Sequence, residues 1–150
     1  MNEKQSIGRL VSIINRMFSV YMNAQIKNPS VGIGQIRLIK YINQNDGCYQ
    51  REISNHFMMD KGTTTSLLSN LEKNGFISRK KNPKDSRLKN IYLTQQGIDF
   101  EVLISESLKN WTELLLHDFT TEEKETSYQL LNKMVGNIAQ LKDEKTEVKE

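Results

Sequence analysis

The sequence is poor in cysteine, proline and aromatic residues, and it contains no long apolar run. Its 150 residues include one cysteine, two prolines and 7% aromatic side chains. A single thiol, Cys48, cannot form an internal disulfide, which fits a reducing compartment. No apolar run approaches the roughly 18 residues of a membrane span, and residues 1–5 lead into an amphipathic pattern instead of a signal peptide. These absences predict a cytoplasmic protein with no membrane partner.

Residue patterns typical of enzymes and metal sites are missing as well. The sequence has no phosphate-binding loop, no Ser/Cys–His–acid set and no convincing pair of catalytic carboxylates. Its two histidines, His56 and His117, fall in separate predicted elements, whereas a zinc site needs clustered ligands. We therefore predict that the protein is not an enzyme and holds no metal or other cofactor.

Positive charge is concentrated in the middle of the chain. The net charge is +3, but residues 49–97 carry nine Lys or Arg against four Asp or Glu, a net +5. The remaining residues carry twelve against fourteen, a net −2. Six of the cations lie in residues 79–89, together with one acid, Asp85. Such a local basic footprint is typical of nucleic-acid binding, and an ordinary solvated charge cluster is the alternative.

Hydrophobic periodicity predicts a mainly α chain with one small β hairpin (α+β), forming a single domain over residues 1–150. Two β-like runs, at residues 76–79 and 90–94, flank a turn sequence at residues 82–85. A frayed, polar tail is expected at residues 143–150. The predicted helices cover residues 4–27, a segment around residues 36–42, residues 51–57 and 60–74, and two long segments after residue 97.

The helix predicted at residues 60–74 has two unlike faces. Asp60 is a suitable N-cap and Gly75 a suitable C-terminal stop. Its outward face has short hydroxyl side chains and no carboxylate, so it can approach DNA closely and bond to phosphates or bases. The helix N-terminus is also expected to offer free N–H groups to phosphate. A plain solvent-exposed face is the alternative. The inward face is Thr64, Leu67, Leu68 and Leu71; the outward face is Gly62, Ser66, Ser69 and Lys73, flanked by Thr63 and Thr65.

The basic hairpin adds an independent argument for DNA binding. An arginine at a hairpin tip can enter a narrow A·T-rich minor groove, where the potential is most negative. Asp85, two residues before Arg87, can hold that side chain through a charge-assisted hydrogen bond. The alternative is a surface ion pair worth about 0–1 kcal/mol.

These passages together resemble the MarR family (multiple antibiotic resistance regulators) of winged helix-turn-helix transcription factors. The resemblance covers almost the whole chain. An Asp-x-Arg wing signature and a Leu-Glu-Lys-x-Gly-Phe-Ile-x-Arg passage are its most specific parts. The matching passages are Arg51–Phe57, Asp60–Thr65, Leu71–Arg79, Asp85–Arg87 and Ile91–Gly97.

The resemblance implies a homodimer that binds a palindromic double-stranded DNA operator. A winged lobe at residues 34–97 would be flanked by dimerisation helices at residues 1–27 and 98–142. The apolar residues of those helices exceed what one small winged domain can cover, which also favours a partner. Two-fold symmetry would place the two reading helices roughly 34 Å apart. The expected DNA-binding residues are Lys61, Thr63, Thr64, Thr65, Ser66, Ser69, Lys73, Arg79, Lys80, Lys81, Lys84, Asp85 and Arg87.

The family resemblance further implies a repressor that a small aromatic effector releases. Many family members have an arginine where Ser66 stands, so base readout by this helix is expected to be weaker and the wing more important. Tyr21, Tyr41 and Trp111 are available for an effector, although core packing explains them more economically. Two other functions stay open: a winged-helix module that binds a protein, and a redox-responsive regulator in which Arg51 lowers the pKa of Cys48.

Overall fold

The protein is mainly helical with one small antiparallel sheet, as the sequence predicts. The computed structural model describes residues 6–28 and 30–147, with side chains described through residue 138. No helix in these residues has both the length and the apolar character needed to cross a membrane. The elements are α1 (Ile7–Ile26), α2 (Ile33–Gln44), β1 (Cys48–Tyr49), α3 (Gln50–Phe57), α4 (Lys61–Lys73), β2 (Ile77–Lys81), β3 (Lys89–Leu93), α5 (Gln95–Leu115) and α6 (Thr121–Glu147).

Local capping chemistry sets the ends of α4 where the sequence predicts them. The Thr63 backbone N–H donates to Asp60 Oδ1 at 2.8 Å, so Asp60 is the N-cap. Gly75 follows the helix with a φ of +78°, a left-handed conformation that favours glycine. The predicted start of α1 at residue 4 lies outside the described residues. Within the described residues, the helix begins at Ile7 after the N-cap Ser6.

The sheet contains a short strand that sequence patterns do not predict. β2 and β3 form the predicted hairpin, with Arg79 opposite Ile91. β1 pairs with the other edge of β3, placing Tyr49 opposite Asn90, and the strand order is β1-β3-β2. Two residues are too few to show a period of two, so this strand becomes visible only through its partner.

The last helix extends beyond its predicted end. α6 continues to Glu147, so residues 143–147 are helical where a frayed tail is expected from the sequence. This stretch contains no glycine or proline and is rich in Lys and Glu, which are good helix formers. The tail boundary at residue 143 is therefore corrected; residues 148–150 lie outside the described residues.

The chain divides into two compact units, one ending at Trp111 and the other beginning at Thr112. The hydrophobic core of the first unit joins α2, α3, α4 and the sheet, and it fixes which face of α4 points outward. Whether the chain behaves as a single domain stays a prediction. The buried apolar residues are Met22, Ile26, Val31, Ile36, Leu38, Ile39, Ile42, Cys48, Ile53, Leu68, Leu71, Phe76, Ile77, Ile91 and Ile104.

Each unit, taken by itself, leaves large apolar side chains exposed. Among the exposed apolar side chains of α1, the exposed fraction runs from 46% for Ile14 to 67% for Val20. In the second unit Val135 is 66% exposed and Leu131 54%. Contiguous apolar surface of this kind is usually covered by a partner. The exposed set also includes Ile7, Leu10, Val11 and Met17 in the first unit, and Leu114, Leu115, Phe119, Tyr128, Leu130 and Ile138 in the second.

Candidate nucleic-acid interface

One of the residues expected to contact DNA is buried inside the helix-turn-helix. Thr64 is fully buried, its hydroxyl donates to the Asp60 carbonyl oxygen at 3.0 Å, and it accepts from Ser54 Oγ at 3.0 Å. The spacing of Thr64, Leu68 and Leu71 places all three on the inward face of α4, as the helical wheel indicates. The assignment of Thr64 to the DNA-contacting set is therefore corrected.

The remaining predicted positions of α4 form one exposed polar surface. It contains two cations at the ends of the helix and hydroxyl groups between them, and the helix itself has Glu72 as its single carboxylate. We call this surface the hydroxyl face of α4. Its members are Lys61, Thr63, Thr65, Ser66, Ser69 and Lys73.

The N-terminus of α4 is occupied by a side chain of the protein. Both Asp60 oxygens are engaged: Oδ1 accepts from the Thr63 N–H at 2.8 Å and Oδ2 from the Thr63 hydroxyl at 2.5 Å. Hydrogen bonds from the Thr63 side chain and backbone lower the pKa of Asp60, which keeps the carboxylate charged. A fixed negative charge at this position opposes phosphate binding, and the Thr63 N–H is not free to donate to a phosphate.

The loop of the hairpin holds its arginine as the sequence predicts. We call β2, β3 and their connection, residues 77–93, the wing. Arg87 donates from Nε to Asp85 Oδ1 and from an Nη to Asp85 Oδ2, both at 3.1 Å. The Arg87 backbone N–H adds a third bond to Oδ1 at 3.0 Å. The hydrogen bonds from the Arg87 side chain lower the pKa of Asp85 most, and the bond from the Arg87 backbone lowers it further. The Arg87 side chain is 88% exposed, so the pair presents it to solvent.

The wing cations are not equivalent. Lys80, Lys81 and Lys84 are exposed, and Lys80 Nζ lies 5.2 Å from the centre of the Tyr92 ring, within cation–π range. The Arg79 side chain is only 18% exposed, and its Nε lies 3.3 Å from Glu72 Oε2. Among the described residues, Arg79 Nε and one Nη are buried without a hydrogen bond. Arg79 is thus turned toward the body of the lobe, unlike the three lysines.

A cleft of about 700 Å³ lies between the wing and the segment that ends β1 and forms α3, and Lys61, the first residue of α4, also lines it. Five cations line it, and three of them, Arg51, Lys61 and Lys89, come from α3, α4 and β3. The other two are Arg79 and Arg87, and Tyr49 and Gln50 complete one wall. We call this the cationic cleft. A concave surface with this charge suits a polyanion. No sequence pattern indicates a role for Tyr49 or Gln50, because their contacts join chain segments far apart in sequence.

The structure argues against a redox function for Cys48. The residue is 6% exposed and belongs to the core. Burial, followed by the negative charge of Glu52, raises the pKa of the thiol to about 11. Reactive cysteines need the opposite shift, because the thiolate is the reactive form. The expectation that Arg51 lowers this pKa is wrong.

The aromatic residues considered for an effector are packed against other rings. Trp111 lies 5.7 Å from Phe18 and 5.3 Å from Tyr21, measured between ring centres. The Tyr41 ring centre lies 4.6 Å from that of His56. These distances are typical of stabilising aromatic pairs in a core. An effector site at these residues stays a prediction.

Comparisons with known proteins agree with this architecture. The profile of the MarR family matches residues 33–89, which include α2, α3, α4 and most of the wing. The chain belongs to the MarR family. It is a DNA-binding, winged helix-turn-helix transcriptional regulator.

Similarity to individual MarR-type proteins extends over nearly the whole chain. The HTH-type transcriptional regulator BilQ from Clostridioides difficile (strain CD3) is 29% identical over 147 residues, which are 97% of this chain and 94% of BilQ. A solved MarR protein from Peptoclostridium difficile DA00132 is 29% identical with a TM-score of 0.81, covering 92% of this chain and 91% of that protein. The S. aureus MepR–DNA complex shares the fold, with a TM-score of 0.78 at 23% identity over 91% of this chain and 99% of MepR.

Proposed function

We propose that this MarR family protein binds a palindromic DNA operator as a homodimer and represses transcription until a small aromatic molecule releases it. The observation that carries the proposal is that one lobe combines an exposed hydroxyl face on α4 with an exposed cationic wing. The hydroxyl groups of α4 suit base edges in a major groove, and the wing suits phosphates and the minor groove. The neighbouring fold of MepR, solved with DNA, supports a duplex as the ligand.

The dimer is supported by the apolar side chains that each compact unit exposes. α1 alone exposes Ile7, Leu10, Val11, Ile14, Met17 and Val20 by 46% or more. A monomer in water would leave this surface unfavourably hydrated, whereas a second copy can bury it. Most soluble oligomers are two-fold symmetric homodimers, and a two-fold dimer recognises a palindrome.

Selection of bound duplexes from a random pool tests the operator and the dimer together. We expect enriched sequences that contain an inverted repeat, with half-site centres one helical turn apart, and sedimentation of two protein chains per duplex. Inserting about five base pairs between the half-sites turns one of them to the opposite side of the DNA and should abolish tight binding. Enrichment of single half-sites by a monomer, or no enrichment, would contradict the proposal.

Release by an effector needs a separate experiment. Benzoate and phenol, added at increasing concentration to the complex with the selected duplex, should lower DNA affinity if either resembles the effector. Cyclohexanecarboxylate and cyclohexanol are matched controls without an aromatic ring. Equal effects of the aromatic and saturated compounds would contradict recognition of an aromatic ring.

A further inference from the structure

Two adjacent residues connect the wing to α4, and neither belongs to the set of residues predicted to contact DNA. Tyr49 ends β1 and Gln50 begins α3. Both are half-buried, and both line the cationic cleft on the side opposite the wing residues Arg87, Leu88 and Lys89. Their side chains make hydrogen bonds in different directions, one toward the wing and one toward α4.

Tyr49 holds the residue that organises the wing loop. Asn82 Nδ2 donates to the Tyr49 hydroxyl at 2.8 Å. Asn82 Oδ1 accepts from the backbone N–H groups of Lys84 at 2.8 Å and Asp85 at 3.1 Å. The Asn82 N–H donates to the Leu88 carbonyl oxygen at 3.0 Å, which closes the loop. Because Asn82 bonds to both sides of the loop, its contact with Tyr49 fixes the loop as a unit.

Gln50 holds the hydroxyl face of α4. Its Nε2 donates to Thr65 Oγ1 at 2.6 Å, and that hydroxyl donates to the Lys61 carbonyl oxygen at 2.7 Å. A threonine hydroxyl has one hydrogen to donate and two lone pairs. The hydrogen and one lone pair are therefore already used, and the rotamer of Thr65 is set from α3.

A second link between the wing and α4 acts at the opposite end of the helix. Arg79, in the middle of β2, lies beside Glu72, the last residue but one of α4. That ion pair lacks hydrogen-bond geometry at Arg79 Nε. The contacts of Tyr49 and Gln50 act instead on the wing loop and on the N-terminal half of α4, the parts that carry Arg87 and Thr65.

We propose that Tyr49 and Gln50 form a brace that sets the wing loop relative to the recognition helix α4, so that both elements fit one duplex at the same time. They are positioning residues: Tyr49 acts through Asn82 and Gln50 acts through Thr65. The inference rests on the proposed DNA-binding function and adds to it the residues that fix the spacing of the two reading elements. Because adjacent residues carry both contacts, movement of the β1–α3 junction shifts both elements.

The first test compares two tyrosines that each lose only a hydroxyl group. Tyr49→Phe removes the acceptor for Asn82, whereas Tyr92→Phe, in β3, keeps the ring beside Lys80 and is the matched control. We expect Tyr49→Phe to weaken binding to the selected duplex about three- to tenfold, as for loss of one partly buried hydrogen bond. Tyr92→Phe should change the affinity less than about twofold. Equal affinities for the two variants would overturn the brace.

A double-mutant cycle separates positioning from a general loss of stability. Arg87→Ala should cost less affinity in the Tyr49→Phe protein than in the wild type, by about threefold or more, because the wing is already displaced. Gln50→Met, which keeps side-chain length without the amide, should leave the cost of Arg87→Ala closer to its wild-type value. Costs that are the same in all three backgrounds would contradict a brace on the wing.

Base analogues show which reading element each variant disturbs. Replacing A·T pairs by inosine·cytosine keeps the minor-groove pattern of A·T but changes the major-groove pattern, whereas G·C changes both. Tyr49→Phe should reduce discrimination between G·C and inosine·cytosine at the wing positions, and Gln50→Met should reduce discrimination in the major groove. Loss of both kinds of discrimination in both variants would overturn the assignment of Tyr49 to the wing and of Gln50 to α4.

Amide hydrogen exchange tests the Tyr49 contact without DNA. In Tyr49→Phe, the amides of Lys84, Asp85 and Leu88 should exchange faster, while those in α4 keep their protection. Unchanged exchange in the wing loop would overturn the brace even if DNA binding is confirmed. If the wild type binds no duplex but the wing amides respond, the proposed function fails while the contact between Tyr49 and the wing stands.

Discussion

Helix α4 and the wing, the two elements proposed to contact DNA, differ in the surface they expose and in the contacts that hold them. α4 exposes uncharged hydroxyl groups between two terminal lysines, and its position is set by a buried face that includes Leu68 and Leu71. The wing is strongly cationic and is held by polar contacts such as the Asp85–Arg87 pair, with Arg87 88% exposed. In the proposed DNA complex this difference separates two tasks: the packed helix would supply shape and hydrogen bonds, and the wing would supply charge.

This difference predicts that a substitution on the buried side of α4 lowers the stability of the protein more than one on its exposed side. Leu68→Ala removes a fully buried side chain and should lower the free energy of unfolding by about 3 kcal/mol. DNA affinity should then fall at every salt concentration, because the lobe is partly unfolded. Ser69→Ala, one residue further along and exposed, should stay within about 0.5 kcal/mol of the wild type in urea unfolding. Similar losses for both variants would contradict the assigned faces of α4.

The ion pair between Lys40 in α2 and Glu101 in α5 lies outside α4 and the wing, so it should affect stability without changing the charge of either proposed DNA-contacting element. Lys40 Nζ donates to Glu101 Oε1 at 2.9 Å and to Ser105 Oγ at 2.7 Å, and Ser105 donates to Glu101 at 2.7 Å. Burial raises the pKa of Glu101, but the hydrogen bonds from Ser105 and Lys40 and the charge of Lys40 outweigh it, so the pKa is lowered. Glu101→Gln should cost about 2 kcal/mol at pH 7.

The pH dependence of that loss has a definite sign. Because the folded-state pKa of Glu101 is lowered, its contribution is fully present above the unfolded value of about 4.3 and disappears as pH falls through the folded-state value. The unfolding free energies of wild type and Glu101→Gln in urea should therefore converge as pH falls below the pKa of an unfolded glutamate. Glu106→Gln, exposed in the same helix, is the control. A difference that grows on acidification would contradict the ion pair.

The wing and α4 should also differ in how mutations change the salt dependence of binding. Arg87→Ala should weaken binding about tenfold and reduce the slope of log affinity against log salt concentration by about one per protomer. Ser66→Ala removes no charge, so it should shift affinity only a few-fold and leave the slope unchanged. Titrations of both variants at several salt concentrations check this. A slope change with Ser66→Ala would show that the two tasks are not separated.

The smallest effect is expected from oxidation. With a pKa of about 11, the Cys48 thiol is about one part in ten thousand thiolate at pH 7. Neither α4 nor the wing should respond to hydrogen peroxide, and the DNA affinity of wild type and Cys48→Ala should stay the same after treatment. Thiol labelling should be slow in the native protein and fast in guanidinium. A peroxide-dependent loss of affinity that Cys48→Ala abolishes would support the redox alternative.

Local sequence rules predicted the features that depend on neighbouring residues. The Asp60 cap, the left-handed Gly75 and the Asp85–Arg87 pair depend on residues at most a few positions apart, and the hairpin is marked by a turn sequence between two β-like runs. The helical wheel also placed Thr64 on the buried side of α4. The resemblance to MarR proteins placed it in the DNA groove, and here the periodicity was the better guide.

Contacts between distant segments could not be predicted in the same way. The pairs Asn82–Tyr49, Gln50–Thr65 and Lys40–Glu101 are separated by 33, 15 and 61 residues. β1 is visible only through its pairing with β3. The pKa of Cys48 likewise depends on burial by several elements. The nearby Arg51 in the sequence therefore did not predict the direction of the pKa shift.

The central claim is that the wing supplies the charge and α4 the neutral contacts in one DNA complex. The most direct test measures affinity for the selected duplex against salt concentration in wild type, in Lys80→Gln/Lys81→Gln/Lys84→Gln and in Ser66→Ala/Ser69→Ala. We expect a steep wild-type slope, a slope shallower by at least about two in the lysine variant, and a parallel line in the serine variant. A flat wild-type slope, or equal slope changes in both variants, would contradict the claim.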